Sequence, residues 1–140
     1  MKVTRRFEFD AAHRLMGYDG PCANIHGHHY VAEVTVAGLA ADVEDVNDLG
    51  MLIDFKELKP IGDWIDEYWD HALLMHPKDN LVIPTKITKM SSGNPTAENM
   101  VRQLHMVACE VMTGLSKASG VFVSNVRLFE TPDCFVDYDG

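Results

Sequence analysis

Three histidines stand where two neighbouring strands of the predicted sheet would meet. His26 and His28 flank Gly27 at the start of an alternating segment, and residues i and i+2 of a strand point to the same face. His13 lies near the end of the preceding alternating segment, so antiparallel pairing would bring it to the same point. Three neutral imidazoles with a vacant fourth position are typical of a catalytic zinc site. The spacing therefore predicts a zinc site at His13, His26 and His28.

One cysteine precedes this histidine pair by a short loop. Cys22 could be a fourth zinc ligand that closes a structural site. It could equally stand beside an open site as a thiolate base or nucleophile, because a metal and nearby cations lower the pKa of a thiol. The spacing does not separate these alternatives. The other two cysteines, Cys109 and Cys134, are widely spaced and are predicted to be structural free thiols.

Two further groups could move protons or hold a ligand. Asp70-His71 closes the first predicted helix. There a carboxylate can orient an imidazole for general acid–base catalysis, or the helix dipole simply favours a protonated histidine. Glu130 shares one face of an apolar strand with Val126 and Leu128, and a carboxylate on a core-facing register must pair with something. Its partner is either a ligand with adjacent N–H donors or a structural salt bridge.

The hydrophobic periodicity predicts the elements that position these residues. It indicates strands at residues 3–9, 26–36, 121–129 and 134–138, a helix over 55–68, and a second helix with an N-cap at Thr96 and an apolar stripe at Met100, Leu104, Val107, Val111 and Leu115. This order of strands and helices favours an α+β fold, with a four-stranded antiparallel sheet and both helices on one face.

The other face of this sheet needs a cover. Apolar side chains stand on the first two strands, at Phe7, Phe9, Tyr30, Val34 and Val36. Unpaired edge strands are in addition a liability in solution. Joining sheets between subunits into a closed barrel would resolve both problems. We therefore expect a homo-oligomer.

The composition narrows the class of protein. The chain has 140 residues, of which 46% are hydrophobic and 24% charged, as expected of one folded domain over residues 1–140. A net charge of −9 argues against a general nucleic-acid binder, which needs a basic face. With no membrane-length apolar run and no apolar core of a secretion signal, the expectation is a cytoplasmic protein without a membrane partner. The acidic residues 42–48 are predicted to be a solvated loop.

Six short motifs together resemble the family of 6-pyruvoyltetrahydropterin and 6-carboxytetrahydropterin synthases. They are Phe9-Asp10-Ala11-Ala12-His13-Arg14, Cys22-Ala23-Asn24-Ile25-His26-Gly27-His28, Ile53-Asp54-Phe55, Asp70-His71, Asn94-Pro95-Thr96-Ala97-Glu98-Asn99 and Phe129-Glu130-Thr131. They occur in family order over nearly the whole chain, and the joint match is highly specific although no single piece is. The resemblance implies a tunnelling fold, in which subunits assemble into barrels and stack as a hexamer.

The resemblance also implies a role for eight residues, with the active site between subunits. The zinc ligands would be His13, His26 and His28, and the proton-transfer residues would be Cys22, Asp70, His71 and Glu130. In this interpretation Cys22 is a proton acceptor and not a ligand. Glu130 would also anchor the 2-amino and ring N–H groups of a pterin, helped by the region of Thr96.

The substrate that the resemblance implies is 7,8-dihydroneopterin triphosphate. Three residues separate Cys22 from His26, a spacing similar to the branch that yields 6-carboxytetrahydropterin, acetaldehyde and triphosphate for queuosine and related 7-deazapurines. The alternatives are the branch that yields 6-pyruvoyltetrahydropterin on the biopterin route, and a non-catalytic zinc protein with Cys22 as fourth ligand. No glycine pattern of a nucleotide cofactor site is present. Candidate cations for the triphosphate are Arg14, Lys78, Lys86 and Lys89.

Overall fold

A computed structural model describes residues 1–38, 47–115 and 120–140 of the chain. The described strands are β1 (Lys2–His13), β2 (His26–Gly38), β3 (Ala72–Met75), β4 (Ile87–Lys89), β5 (Val121–Thr131) and β6 (Cys134–Tyr138). The described α-helices are α1 (Lys59–Tyr68) and α2 (Ala97–Gly114), and short 3₁₀ helices cover Pro21–Ala23 and Phe55–Leu58. Most of the acidic stretch 42–48 lies outside the described residues, so the solvated loop stays a prediction.

The strands form one mixed sheet in the order β4-β3-β1-β2-β5-β6. The four predicted strands pair antiparallel, β1 with β2, β2 with β5 and β5 with β6. The prediction of a four-stranded antiparallel sheet is nevertheless wrong, because β3 pairs parallel to β1 and β4 pairs parallel to β3. All four residues of β3 are buried, so it lacks the polar–apolar alternation that identifies a strand in sequence. The three-residue β4 is too short to show any period.

One face of the sheet is covered by the helices. Four of the five apolar side chains that were expected to need a cover from another subunit are buried in this core: Phe9, Tyr30, Val34 and Val36. The fifth, Phe7, is partly buried against the same core. Gly62 of α1 allows close contact there, since a Cβ at this position would lie 2.9 Å from the Phe7 ring. The prediction that an apolar face of the sheet lies open is therefore wrong. The prediction of a barrel between subunits now rests on the sheet edges and the resemblance.

The opposite face of the sheet carries a row of charged side chains. Arg6 stands opposite Glu33 across β1 and β2, and Glu33 stands opposite Arg127 on β5. Arg127 in turn donates two hydrogen bonds of 2.8 Å to Asp137 on β6. Opposite charges in neighbouring cross-strand positions stabilise a sheet modestly and suit a face without a helix above it.

The two helices confirm most of the sequence prediction. The predicted first helix begins as a 3₁₀ turn, whose N-cap Asp54 accepts from the Lys56 N–H, and continues as α1. The Thr96 hydroxyl caps α2 by accepting from the Asn99 N–H. The buried face of α2 is rotated from the predicted stripe, and its members are Met100, Val101, Leu104, Ala108 and Met112. None of the helices in the described part of the chain is long and apolar enough to cross a membrane.

Candidate metal and active site

The register of β1 against β2 brings the three predicted histidines together. His13 pairs with His26 and Ala11 with His28, so all three imidazoles lie on one face. The ring centroids of His13 and His26 are 4.4 Å apart, and both other pairs are 5.1 Å apart. One ring nitrogen of each histidine lies within 4.8 Å of the other two. Gly27 permits the close strand approach, because a Cβ there would lie 3.1 Å from the Ala11 carbonyl oxygen.

Backbone carbonyls orient two of the rings. The Nδ1 of His13 is 2.7 Å from the Pro95 oxygen, and the Nδ1 of His26 is 2.9 Å from the Asn24 oxygen. Because a carbonyl oxygen only accepts, each Nδ1 carries the proton and each Nε2 keeps its lone pair. Such a hydrogen bond on the second nitrogen is usual for a metal-binding histidine.

The free nitrogens fit a cation. The Nε2 atoms of His13 and His28 are buried and have no hydrogen-bond partner in the described part of the chain, an arrangement that is costly for polar atoms unless something binds them. Burial is the main reason that the pKa of His13 lies below its ordinary value, and the neighbouring His26 lowers it further. The neutral imidazole that results is the form that binds zinc. The donor set therefore fits a zinc ion with room for a fourth ligand.

A carboxylate and a phenol complete the surroundings of this histidine cluster. Glu130 Oε1 lies 3.5 Å from His13 Nε2 and 3.9 Å from His28 Nε2. The Tyr30 hydroxyl is 3.4 Å from His13 Nδ1, and burial, together with the negative charge of Glu130, raises the pKa of Tyr30. Sequence reasoning took Tyr30 only as a core residue. Its position two residues after His28 on the same strand face was the signal for its place beneath the cluster.

Cys22 opens onto the same cavity as His13 of the cluster. This cavity has a volume of about 370 Å³, and its walls include His13, Cys22, Thr96 and Glu130. Cys22 lies in the first 3₁₀ helix, which is tied to β1 by a 2.8 Å hydrogen bond from the Leu15 N–H to the Cys22 carbonyl. Among the described residues, the group of side chains close enough to share a metal consists of the three histidines and does not include Cys22. Cys134, expected to be structural, also lines the cavity.

Asp70 and His71 form a tight pair between α1 and β3. His71 Nδ1 is 2.6 Å from Asp70 Oδ2, and His71 has a positive φ of 55°. The backbone of Asp10 supports both residues, because its N–H donates to Asp70 Oδ1 and its carbonyl accepts from the His71 N–H, at 3.0 and 2.7 Å. Although burial opposes it, these hydrogen bonds from Asp10 and His71 hold the pKa of Asp70 below its ordinary value.

This pair faces a different cavity. His71 lines a space of about 560 Å³ together with Asp10, His28 and His29, whereas Cys22 and Glu130 line the space of about 370 Å³. One chain therefore brings together the histidine cluster, Cys22, Thr96 and Glu130. His71 instead lines the other space, which His28 of the cluster also borders and which does not include Cys22 or Glu130.

Three of the four candidate phosphate cations are held by the protein itself. Arg14 donates two hydrogen bonds to the buried Asp79, at 2.7 and 2.9 Å. Lys89 contacts the Asp79 carbonyl, and Lys86 donates to the carbonyl of Asp70 at 2.9 Å. The Arg14–Asp79 pair ties the 78–92 connection to the chain that leaves β1. Lys86 ties the same connection to the end of the first helix region at Asp70. The fourth candidate, Lys78, is exposed.

Comparison with known proteins identifies the family of the chain. Residues 2–140 match the family model described as 6-pyruvoyl tetrahydropterin synthase. A Rickettsia bellii protein named 6-carboxy-5,6,7,8-tetrahydropterin synthase is 40% identical, covering 98% of this chain and 99% of the relative. A Haemophilus influenzae protein of the same name is 33% identical, with 98% and 97% covered. The structure of Caenorhabditis elegans 6-pyruvoyl tetrahydropterin synthase superposes with a TM-score of 0.71 at 26% identity, covering 100% and 95%. The chain therefore belongs to the 6-pyruvoyl tetrahydropterin synthase family.

Proposed function

We propose that this chain is a zinc-dependent lyase that converts 7,8-dihydroneopterin triphosphate and one water to 6-carboxytetrahydropterin, acetaldehyde and triphosphate. The relatives named tetrahydropterin synthases support a lyase acting on a pterin. The observation that carries the proposal is the cluster of His13, His26 and His28. The Nε2 atoms of His13 and His28 are buried without a partner among the described residues, and His13 borders a cavity shared with Cys22 and Glu130. In this proposal residues 1–140 act as one tetrahydropterin synthase-like domain.

The metal would be held by His13, His26 and His28. When bound, zinc supplies a Lewis acid that lowers the pKa of the hydroxyls on the pterin side chain. The supporting hydrogen bonds from His13 to Pro95 and from His26 to Asn24 keep both Nε2 lone pairs available for it.

Glu130 and the start of α2 would hold the pterin ring. A carboxylate accepts two parallel N–H bonds, which matches the 2-amino group and the adjacent ring N–H of a pterin. Thr96 and Ala97 line the same cavity, and the first N–H groups of a helix have no partner within it. These donors would meet the acceptor atoms on the same edge of the ring.

Cys22 would accept a proton from the side chain, and His71, oriented by Asp70, would handle the second transfer. General acid–base catalysis requires each group within hydrogen-bond reach of its proton. Because His71 faces a separate cavity in one chain, we propose that a second subunit supplies it, in a homo-oligomer that is a hexamer by resemblance. Internal redox between side chain and ring then needs no nicotinamide, and triphosphate leaves by elimination.

The choice of product rests on two observations. Relatives at 40% and 33% identity carry the 6-carboxy name, and three residues separate Cys22 from His26. The similarity to the C. elegans 6-pyruvoyl enzyme keeps 6-pyruvoyltetrahydropterin as the second candidate product. We place the 6-carboxy product on the route to queuosine and related 7-deazapurines.

Incubation with dihydroneopterin triphosphate tests the proposal. The zinc-loaded protein should release acetaldehyde, and the pterin should have the mass of the 6-carboxy product. A 6-pyruvoyl product without acetaldehyde would move the chain to the other branch. No conversion by protein that contains zinc would favour the non-catalytic alternative, with Cys22 as fourth ligand.

A further inference from the structure

The side chain of Asn94 joins two loops that flank the histidine cluster. Its Oδ1 accepts from the Met16 N–H at 2.8 Å, and its Nδ2 donates to the Met16 carbonyl at 3.0 Å. Met16 lies three residues after His13. The amide therefore fastens the chain that leaves β1 to the chain that enters α2.

The backbone of Asn94 is held from the other side by α2. Its carbonyl accepts from the Thr96 N–H at 2.8 Å and from the Asn99 side-chain amide at 2.9 Å. The next residue, Pro95, is buried, and its carbonyl accepts from His13 Nδ1 at 2.7 Å. The contacts close a ring that runs from His13 through Met16, Asn94 and Pro95 back to His13.

A second hydrogen-bonding group competes with the Pro95 carbonyl for His13 Nδ1, so this ring of contacts matters for the tautomer of His13. The Tyr30 hydroxyl lies 3.4 Å from the same His13 Nδ1. A hydroxyl can donate as well as accept. If it donated to Nδ1, the proton would sit on Nε2 and that nitrogen could not bind a metal. The Pro95 carbonyl, which only accepts, favours the tautomer with a free Nε2.

We propose that Asn94 is a positioning residue for the metal site, which fixes His13 in its metal-binding tautomer through Met16 and Pro95. The proposal rests on the proposed function only in that His13 is taken as a zinc ligand. It requires one donor and one acceptor on the same side chain. Aspartate at position 94 would keep the acceptor alone, and alanine would keep neither.

The test compares zinc affinity in the full chain, measured by chelator competition, for Asn94→Ala and Asn47→Ala. Asn47 is a matched control, because its side-chain amide also bonds a loop backbone: its Oδ1 accepts from the Leu49 and Met51 N–H groups. Removing the support of a metal-binding histidine weakens metal affinity by about 10–100-fold. We expect that loss for Asn94→Ala, a smaller loss for Asn94→Asp, and none for Asn47→Ala.

A second measurement reads the tautomer itself. Nitrogen-15 shifts of the His13 ring in the zinc-free protein should show the proton on Nδ1 in the native chain. In folded Asn94→Ala they should show a mixture with the Nε2–H form. Should Asn94→Ala not fold, Asn94→Asp takes its place in both measurements.

Two outcomes overturn the inference. One is native zinc affinity in the folded Asn94 variant, and the other is a proton on His13 Nε2 in the native zinc-free chain. Failure of the proposed function looks different, because the native chain itself would then bind no zinc or turn over no substrate.

Discussion

The histidine cluster and the Asp70–His71 pair both depend on β1, but they are built in opposite ways. The cluster comes from strand register, and its His13 is 2% exposed. The pair comes from hydrogen bonds to the backbone of Asp10, and the His71 side chain is 78% exposed. The cluster is complete within one chain, whereas His71 lines a cavity without Cys22. Under the proposed function, the metal site would therefore form on folding, and the proton-transfer site would need a second subunit.

The largest expected effect is the loss of the metal site. In His28→Ala the zinc site would lose one of three ligands, so metal should dissociate and turnover should fall to background. His105→Ala is the matched control, because this histidine lies on α2, where its ring packs against Tyr138. Zinc content and initial rate of both variants check the prediction. Full turnover by metal-free His28→Ala would show that metal binding by the histidine cluster is not needed for catalysis.

Cys22→Ala should separate chemistry from metal binding. We expect zinc to be retained and turnover to fall by about 10²–10⁴-fold, the usual contribution of a general acid or base. Cys109→Ala, a half-buried thiol on α2 away from the cavity, should keep its activity. Loss of zinc together with the Cys22 thiol would make that residue a ligand.

Mixing two inactive variants tests whether another subunit supplies the Asp70–His71 pair. Equal amounts of Cys22→Ala and His71→Asn chains, unfolded and refolded together, should recover activity. Random assortment leaves roughly a quarter of the sites with both native residues if the site lies between subunits of a closed oligomer. Each variant refolded alone is the control. Inactive mixtures in which mass measurement shows mixed oligomers would place both residues in one chain.

The smallest expected effect is on stability. Asp70→Asn weakens the charged hydrogen bonds to Asp10 and His71, which should lower the free energy of unfolding by about 1 kcal/mol at neutral pH. Because the folded pKa of Asp70 lies below its ordinary 3.8, its contribution is present above that value. It is lost as the pH falls through the folded pKa.

Urea unfolding of the native chain and Asp70→Asn at several pH values measures this difference. Asp63→Asn, an exposed position on α1, is the control. A difference that grows as the pH falls below 3.8 would contradict the assigned pKa direction.

The sequence predicted the histidine cluster because its signal is local. Period-two spacing places His26 and His28 on one face, and antiparallel pairing of adjacent strands is the simplest way to add His13. The Thr96 cap was predictable for the same reason. The residue roles that came from resemblance, such as Cys22 as proton acceptor, stay predictions.

What the sequence missed depends on distant or backbone contacts. The Pro95 carbonyl that orients His13 leaves no mark on residue identity. Arg14 was expected to be free for phosphate, but its partner Asp79 lies 65 residues away. The parallel strands β3 and β4 are short, and their pairing is a tertiary feature that local periodicity does not encode.

The central claim is that three imidazoles bind one zinc and leave a position open for substrate. X-ray absorption at the zinc edge of the loaded protein tests it most directly. We expect nitrogen or oxygen neighbours alone, at about 2.0–2.1 Å. A sulfur neighbour at about 2.3 Å would show that Cys22 closes the site, and an open position for substrate would then be ruled out.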